Sequence, residues 1–402
     1  MQSGGTPSRS NAKYWGGDVS WITAKDMKSF WIEDSEDHLT QEGVSQATRI
    51  VPSGSTLILT RGMTLHNDVP ICRVRKPSAF NQDVKAVLAK GPLRPTLLPH
   101  LLVALKPKLL EAVDSAGHGT GRLQTEVLHN IAIVLPGPEE QERIATLFDA
   151  VEARIALIRS ISVLLEEIAR AIFQSWFVDF DPVRAKIEGR SLFGIDAEMT
   201  ALFPNTLITS PSGEIPSGWQ YQKWGDLVTL QYGKALRNYD TSEKRKYPVY
   251  GTNGCIGTCD TPLCGKPGII IGRKGAYRGV HFSSKPFFVI DTAFYVQPIV
   301  EMNIRWAYYE ITRNDINSMD SGSAIPSTSR EDFYKLPVVF PPIAIQQRWA
   351  ELLDPIWQQQ DRNISEICTL EMIRDTLLPK LVSGEVRVRE AENMVEVGGI
   401  SD

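Results

Sequence analysis

Residues able to do chemistry are sparse in this chain, and their spacing argues against most reactions. Cys255, Cys259 and Cys264 with His281 offer thiolate and imidazole ligands for zinc. They lack the paired C-x2-C spacing of a closed zinc site, so structural or incidental thiols are expected. Asp68 with Asp83 and Lys85 supplies the two acids and lysine of a nuclease, but that pattern is common by chance. The stretch Gly268 to Gly275 lacks the glycine and hydroxyl spacing of a phosphate-cradling loop, which leaves a hairpin. Phe340-Pro341-Pro342-Ile343 has the wrong flanks for the Asn/Asp-Pro-Pro-Tyr/Phe used in methylating a base amine, and the six histidines are isolated. Neither a catalytic site nor a metal centre is expected.

What the chain does carry is equipment for reading a DNA groove. Base edges are read by Arg or Lys on guanine and Asn or Gln on adenine, while phosphates are held by cations, amides and hydroxyls. Arg61, His66, Asn67, Arg73, Arg75, Asn81 and Gln82 form a first candidate set. Arg237, Lys244, Arg245, Tyr250, Asn253, Arg273, Lys274, Tyr277 and Arg278 form a second. Any one of them is as well explained as a solvated side chain, and about a third are expected to touch DNA. Both sets fall in basic stretches, from Arg61 to Lys108 and from Lys234 to Lys285, although the whole chain has a net charge of -4. Two basic segments preceding the same kind of element favour a polyanionic partner over a chance basic face.

The elements that must position these residues repeat at an offset of 205 residues. Leu135 to Asp149 aligns without a gap on Phe340 to Asp354, so that Pro136, Gln141, Arg143, Ala145, Leu147 and Asp149 recur as Pro341, Gln346, Arg348, Ala350, Leu352 and Asp354. Two long segments that do not resemble each other precede the copies. In the first copy Ile144, Phe148, Val151, Ile155, Ile158, Ser162, Leu165, Ala169, Ile172 and Trp176 alternate at spacings of 4 and 3, a heptad seam. With no Gly or Pro between Pro138 and Pro182, the helix would run about 60 Å. The second copy keeps the seam but admits Gln360, Asn363 and Arg374, and Pro355 is expected to kink that helix or delay its start. The two helices are expected to pack on each other, leaving some apolar positions, Trp176, Phe177 and Trp357 among them, for another protein.

Composition fits a globular protein, 42% hydrophobic and 22% charged. The start, Met1-Gln2-Ser3-Gly4-Gly5, has neither a basic n-region nor an apolar h-region, and no run approaches the eighteen or so apolar residues that would span a bilayer, so a cytoplasmic protein is expected. Five scattered cysteines argue against a disulfide framework.

Gly4-Gly5-Thr6-Pro7-Ser8, Tyr14-Trp15-Gly16-Gly17 and Trp21-Ile22 are similar to the opening of a target recognition domain in the specificity subunits of type I restriction-modification systems, and the resemblance covers nearly the whole chain. Tyr247-Pro248-Val249-Tyr250-Gly251, Gly254, Gly268 to Gly275 and Asp291-Thr292 resemble a second such domain. Leu336-Pro337, Phe340-Pro341-Pro342, Gln346 and Phe177-Val178-Asp179-Phe180-Asp181-Pro182 are similar to that family's conserved regions. The resemblance implies an α+β chain with two globular, mixed target recognition domains held apart by two long antiparallel coiled-coil helices, with an internal pseudo-two-fold repeat. It implies no cofactor and no catalysis in this chain. Double-stranded DNA, two modification (methyltransferase) subunits bringing S-adenosylmethionine, and restriction subunits bringing ATP and Mg are the implied partners, and no membrane. The recognised site would be bipartite and asymmetric, with its halves about one DNA turn of 34–36 Å apart.

The expected domains are a first target recognition domain over 1–135, a first long helix over 136–180 and a linker over 181–218. A second target recognition domain over 219–340, a second long helix over 341–383 and a tail over 384–402 follow. Only Gln231-Tyr232-Gly233 of the residues introducing the second insert has a counterpart, at Gln2-Ser3-Gly4, so the first domain is expected to lack about fifteen leading residues. Two other readings remain open at this level. A single-chain DNA methyltransferase or nuclease would bind S-adenosylmethionine or metal without partners, and a coiled-coil adaptor would show no salt-sensitive DNA affinity.

Overall fold

Two helices, Pro138–Phe177 of 40 residues and Ile343–Ser383 of 41, occupy the two copies of the repeat. The computed structural model describes residues 1–116, 119–191, 194–240, 245–275, 277–319 and 326–388. They divide into two units, Met1–Ser162 with Asp361–Asp402 and Val163–Gln360, so each unit takes part of both long helices. The fold is α+β, and among the described residues no helix is long and apolar enough to cross a membrane.

The heptad seam is buried as its period requires. In unit 1 Ile144, Phe148, Val151 and Ile155 join Leu377, Leu378 and Leu381 in one core. The helix segments run antiparallel, because Glu152 meets Arg374 at 2.9 Å while Ser162 accepts a hydrogen bond from Asn363 at 2.9 Å. In unit 2 Phe173, Trp176, Phe177, Trp349, Leu353 and Trp357 pack with Trp306 and Tyr309 of the helix Ile304–Thr312. Trp176, Phe177 and Trp357 are therefore already covered within their own unit and need no outside protein. Sequence alone missed this because the rings that cover them, such as Trp219 and Tyr309, lie far along the chain. The second helix begins at Ile343 and continues through Pro355, so it does not start late. The missing Pro N–H costs one helical hydrogen bond, which the burial of Leu353 and Trp357 on either side offsets.

The repeat duplicates a structural tie as well as a helix. Gln141 and Gln346, both in the first turns, are fully buried. Gln141 accepts from the Arg94 amide at 2.8 Å and donates to the Pro92 and Pro136 carbonyls. Gln346 accepts from the Asn303 amide at 2.9 Å and donates to the Pro341 carbonyl at 2.8 Å. Each amide thus clamps a distant loop to the start of its helix. Gln141→Leu and Gln346→Leu will each strand a buried backbone amide and lower stability by about 1–3 kcal/mol in urea unfolding.

The described residues of 181–218, a stretch expected as a linker, are folded into unit 2. They form the helices Asp181–Glu188 and Ala197–Leu202 and the hairpin Leu207–Ser210 with Gly213–Pro216. Val183, Met199, Phe203 and Ile215 are buried, and Lys186 donates to the Thr200 and Phe203 carbonyls. The glycines and prolines here punctuate short elements. Phe180 opens this segment in the left-handed region (φ 57°), a strain its ring offsets by standing edge-on to Trp219 at 5.4 Å.

The two inserts, unlike in sequence, build the same antiparallel sheet in the same register. In unit 1 the order is Gln2–Ser3, Val84–Val87, Thr56–Leu59, Ile71–Val74, with Trp31–Ile32 added in parallel at the edge. In unit 2 it is Val228–Tyr232, Ala293–Pro298, Gly268–Gly272, Val280–Ser283. Gln2 faces Ala86 and Ala86 faces Leu57; Gln231 faces Tyr295 and Tyr295 faces Ile270. The match continues beyond the sheet, since the Leu123 amide donates to the Thr60 carbonyl and the Thr328 amide to the Arg273 carbonyl. By this register Ser3, Thr60, Arg61, Lys85 and Thr125 correspond to Tyr232, Arg273, Lys274, Phe294 and Arg330. Besides the parallel edge strand Trp31–Ile32, the units diverge where the second helix copy is approached. In unit 2 Gln220–Lys223 pairs with Pro337–Phe340, whereas the corresponding residues 132–135 form no strand among the described residues and leave Ile133 and Val134 exposed.

Candidate nucleic-acid interface

Both sheets deliver their cations from the end of a central strand that is buried along its whole length, Thr56–Leu59 and Gly268–Gly272. Three buried isoleucines fix the second strand, so the residues that follow must emerge at the sheet edge. Gly272 permits this because a Cβ there would lie 2.5 Å from the Thr252 carbonyl oxygen. Four chain segments then converge. The Arg273 and Lys274 amides donate to the Thr292 carbonyl, the Gly275 amide to Pro326, and the Thr252 hydroxyl hydrogen-bonds the Lys274 and Thr292 carbonyls. Around this hub stand Asn253, Lys274 and Tyr277, all exposed, Tyr277 to 80%.

Arg273 is half-buried. Its Nη1 donates to the Asp291 carbonyl at 2.8 Å, and its guanidinium carbon lies 4.8 Å from the Tyr232 ring centroid. Arg330 approaches the same ring to 4.9 Å. Tyr232 and Arg330 carry no basic-run signal, since Arg330 precedes Glu331-Asp332, and only the fold brings them to this end.

The remaining candidates of the second set separate. Arg278 is 4% exposed, with Nη2 donating to the Asn317 carbonyl at 2.7 Å and its amide to Asn317 Oδ1 at 2.8 Å, so it locks the hub from inside and offers no groove-facing edge. Tyr250 is half-buried, edge-on to Phe287 at 6.0 Å and stacked near His281 at 6.5 Å. Arg245 is exposed but paired with Asp260 at 3.2 Å, and Arg237 is exposed. Lys244 lies outside the described residues.

In unit 1 Arg61 is exposed at the position corresponding to Lys274, and its strand partner is Arg122, a cation the sequence reading passed over. His66 is exposed and bonded to the Gly119 carbonyl at 2.7 Å, and Asn67 beside it is exposed. Gln82 is exposed and accepts from the Thr6 hydroxyl. Asn81 is buried, its Oδ1 accepting from the Asp83 and Val84 amides at 3.1 Å, which assigns it to the turn and not to adenine. Arg73 is also withdrawn, pairing with Asp149 at 3.0 Å and lying over Trp31 at 4.5 Å. Arg75 covers the same ring at 3.7 Å and pairs with Glu33 at 3.2 Å.

The Arg73 network is structural. Burial disfavours charge on Asp149, but the hydrogen bond from His100 at 2.9 Å and the charges of His100 and Arg73 outweigh it and hold the carboxyl below its usual range. A folded-state pKa below the unfolded value of about 3.9 stabilises the fold above that pH. Unit 1 will therefore lose this contribution as the pH falls below about 4, and Asp149→Asn will flatten that acid limb when the urea midpoint is followed against pH.

The nuclease-like set does not assemble: Asp68 pairs with Lys106 at 2.9 Å, whereas Lys85 donates to the Ser3 hydroxyl. Among the described residues no group of three His, Cys, Asp or Glu is placed to hold a metal ion. The thiols of Cys255 and Cys259 are turned to the Gly257 and Thr261 carbonyls.

A family model described as the type I restriction modification DNA specificity domain matches residues 1–167 and 216–367. The type I restriction enzyme MjaIX specificity subunit of Methanocaldococcus jannaschii is 25% identical, over 97% of this chain and 92% of its own. The EcoR124I/EcoR124II specificity subunit of Escherichia coli is 30% identical over 36% of this chain and 37% of its own. Among solved structures, the type I restriction-modification S subunit from M. genitalium is 14% identical, with 92% of this chain and 94% of that chain covered and a TM-score of 0.44.

Proposed function

This chain belongs to the type I restriction modification DNA specificity family, and from that premise we propose that each of its units reads one half of a bipartite, asymmetric DNA site. The chain is the DNA-recognition component of a restriction-modification system, and no catalytic step falls to its own residues. The observation that carries the bipartite reading is the doubled sheet. One register, built twice, delivers Thr60-Arg61 in one unit and Arg273-Lys274 in the other. A shared frame with unlike contents at its exposed end suits two different half-sites, because sequence is read by side chains at base edges while phosphate contacts only set the register.

The contact set that this supports is Arg61, His66, Asn67, Gln82 and Arg122 in unit 1 and Arg237, Asn253, Arg273, Lys274 and Tyr277 in unit 2. Arg75 and Arg245 serve at the rim. Two modification subunits, one for each copy of the repeat, bring S-adenosylmethionine, and restriction subunits bring ATP and Mg; the complex works in the cytoplasm, where its DNA is. Exposed Leu157 and Ile161 within unit 1, and exposed Leu164 and Ile168 within unit 2, are apolar pairs that support a protein partner on each unit.

The test is co-expression with the modification subunit, followed by sequencing that maps methylated bases in host DNA. Two unlike half-motifs around a fixed spacer are expected. A continuous motif, or methylation that does not depend on this chain, would contradict the proposal.

A further inference from the structure

Arg273 and Arg330 place two guanidinium groups within 5 Å of one tyrosine ring, at 4.8 and 4.9 Å from the Tyr232 centroid. Neither is ion-paired with a carboxylate among the described residues; each is tied instead to a main-chain carbonyl, Asp291 O at 2.8 Å and Leu230 O at 3.3 Å. Tyr232 itself is 49% exposed. Most arginines of this chain that stand near an aromatic ring have an acidic partner, as Arg73 has Asp149, Arg75 has Glu33 and Arg9 has Asp37. Two like charges held beside one accessible ring, with no counter-charge among the described residues, form a site poised for an anion.

We infer that Arg273, Tyr232 and Arg330 form a grip in unit 2 for a backbone phosphate of DNA, one for which unit 1 has no counterpart. The inference rests on the DNA-reading function proposed above and adds to it which residues anchor the duplex. One Nη of each guanidinium is already engaged by a carbonyl, and the remaining N–H donors of the two groups are left for an acceptor that both can reach. A phosphodiester, with two free oxygens, accepts single hydrogen bonds from two directions. By the shared register, the corresponding positions in unit 1 are Ser3, Thr60 and Thr125, none of them cationic or aromatic. Lys85, in the place of Phe294, donates to Ser3 at 2.6 Å, and Arg61 with Arg122 follows beside it, so unit 1 has cations near this edge but not two guanidinium groups on one ring.

The experiment measures Kd against salt for the complex with the modification subunit on a duplex carrying the mapped site. It compares wild type, Arg330→Gln and Arg273→Gln/Arg330→Gln. The double variant is expected to bind roughly tenfold more weakly. Its slope of log affinity against log salt should be shallower by about 1, with the methylated motif unchanged. Relief of two like charges should leave the thermal midpoint of the double variant unchanged or higher. If that variant does not fold, exposed Arg330→Gln alone must shift the slope in the same direction. An unchanged slope overturns the grip, whether affinity is retained or the motif relaxes at one base, the mark of a base reader. A wild-type complex with no preference for the mapped site would instead overturn the functional reading itself.

Discussion

Exchanging residues 220–340 for the matching stretch of a family member with a different target will replace one half of the recognised motif and leave the other half and the spacer unchanged. The cut points follow from strand pairing. Gln220–Lys223 pairs with Pro337–Phe340, so both edges of the exchanged piece close on each other. All four strands of the unit 2 sheet travel together. Trp306 and Tyr309 must be kept, because they pack on Phe177 and Trp349 of the long helices and the Tyr309 hydroxyl donates to Glu166 at 3.0 Å. Each wrong base pair in a half-site costs about 1–3 kcal/mol. Loss of a whole half-site preference therefore exceeds any single contact variant. Mapping methylated bases before and after the exchange decides the matter: a change in both halves, or in neither, would sink the assignment of one half-site to each unit.

Arg374→Leu will destabilise unit 1 by about 3–5 kcal/mol, because the Glu152 carboxyl would be left buried without its partner. Glu152 is 3% exposed and its Oε1 lies 2.9 Å from Arg374 Nη1. Burial works against the charge on Arg374, but the hydrogen bonds and charges of Asp375 and Glu152 outweigh it and hold the group firmly cationic. The pair Arg154–Glu366 is shorter, at 2.7 Å, yet its side chains are 54% and 39% exposed. Solvent and salt screen such a pair, so Arg154→Leu should cost less than about 1 kcal/mol. The double variant Glu152→Leu/Arg374→Leu should recover most of the loss, since two apolar side chains can fill the seam without a stranded carboxyl. Urea unfolding of the three variants gives the coupling energy, and a double variant no better than Arg374→Leu would mean that packing, not charge, governs this layer.

The polar seam residues together explain why the helices meet in one register. Asn363 donates to Ser162, Gln360 approaches Glu166 at 3.4 Å and Arg374 meets Glu152. A slip of one heptad would separate each of these from its partner while leaving apolar contacts largely equivalent, which is how a buried polar group specifies pairing.

By itself the sequence determined the repeat, the two long helices with their seam, the hairpin after Gly268, the basic character of both inserts and the family. These are properties of neighbours along the chain: a period of 3.5 residues, a Pro-started helix, a run of isoleucines, a local excess of Arg and Lys. Tertiary structure alone decided that the unlike inserts share one sheet and register, because strand pairing is made by backbone groups that leave little trace in side-chain identity. It also decided which cations remain available. Arg73 is paired with Asp149 76 residues away, and Arg278 with Asn317 39 residues away, whereas Arg61 and Lys274 stay exposed. Tyr232 and Arg330 come together from opposite ends of the second insert through that same sheet. Whether a charged side chain faces solvent or a buried partner depends on contacts between distant residues, and composition cannot encode them.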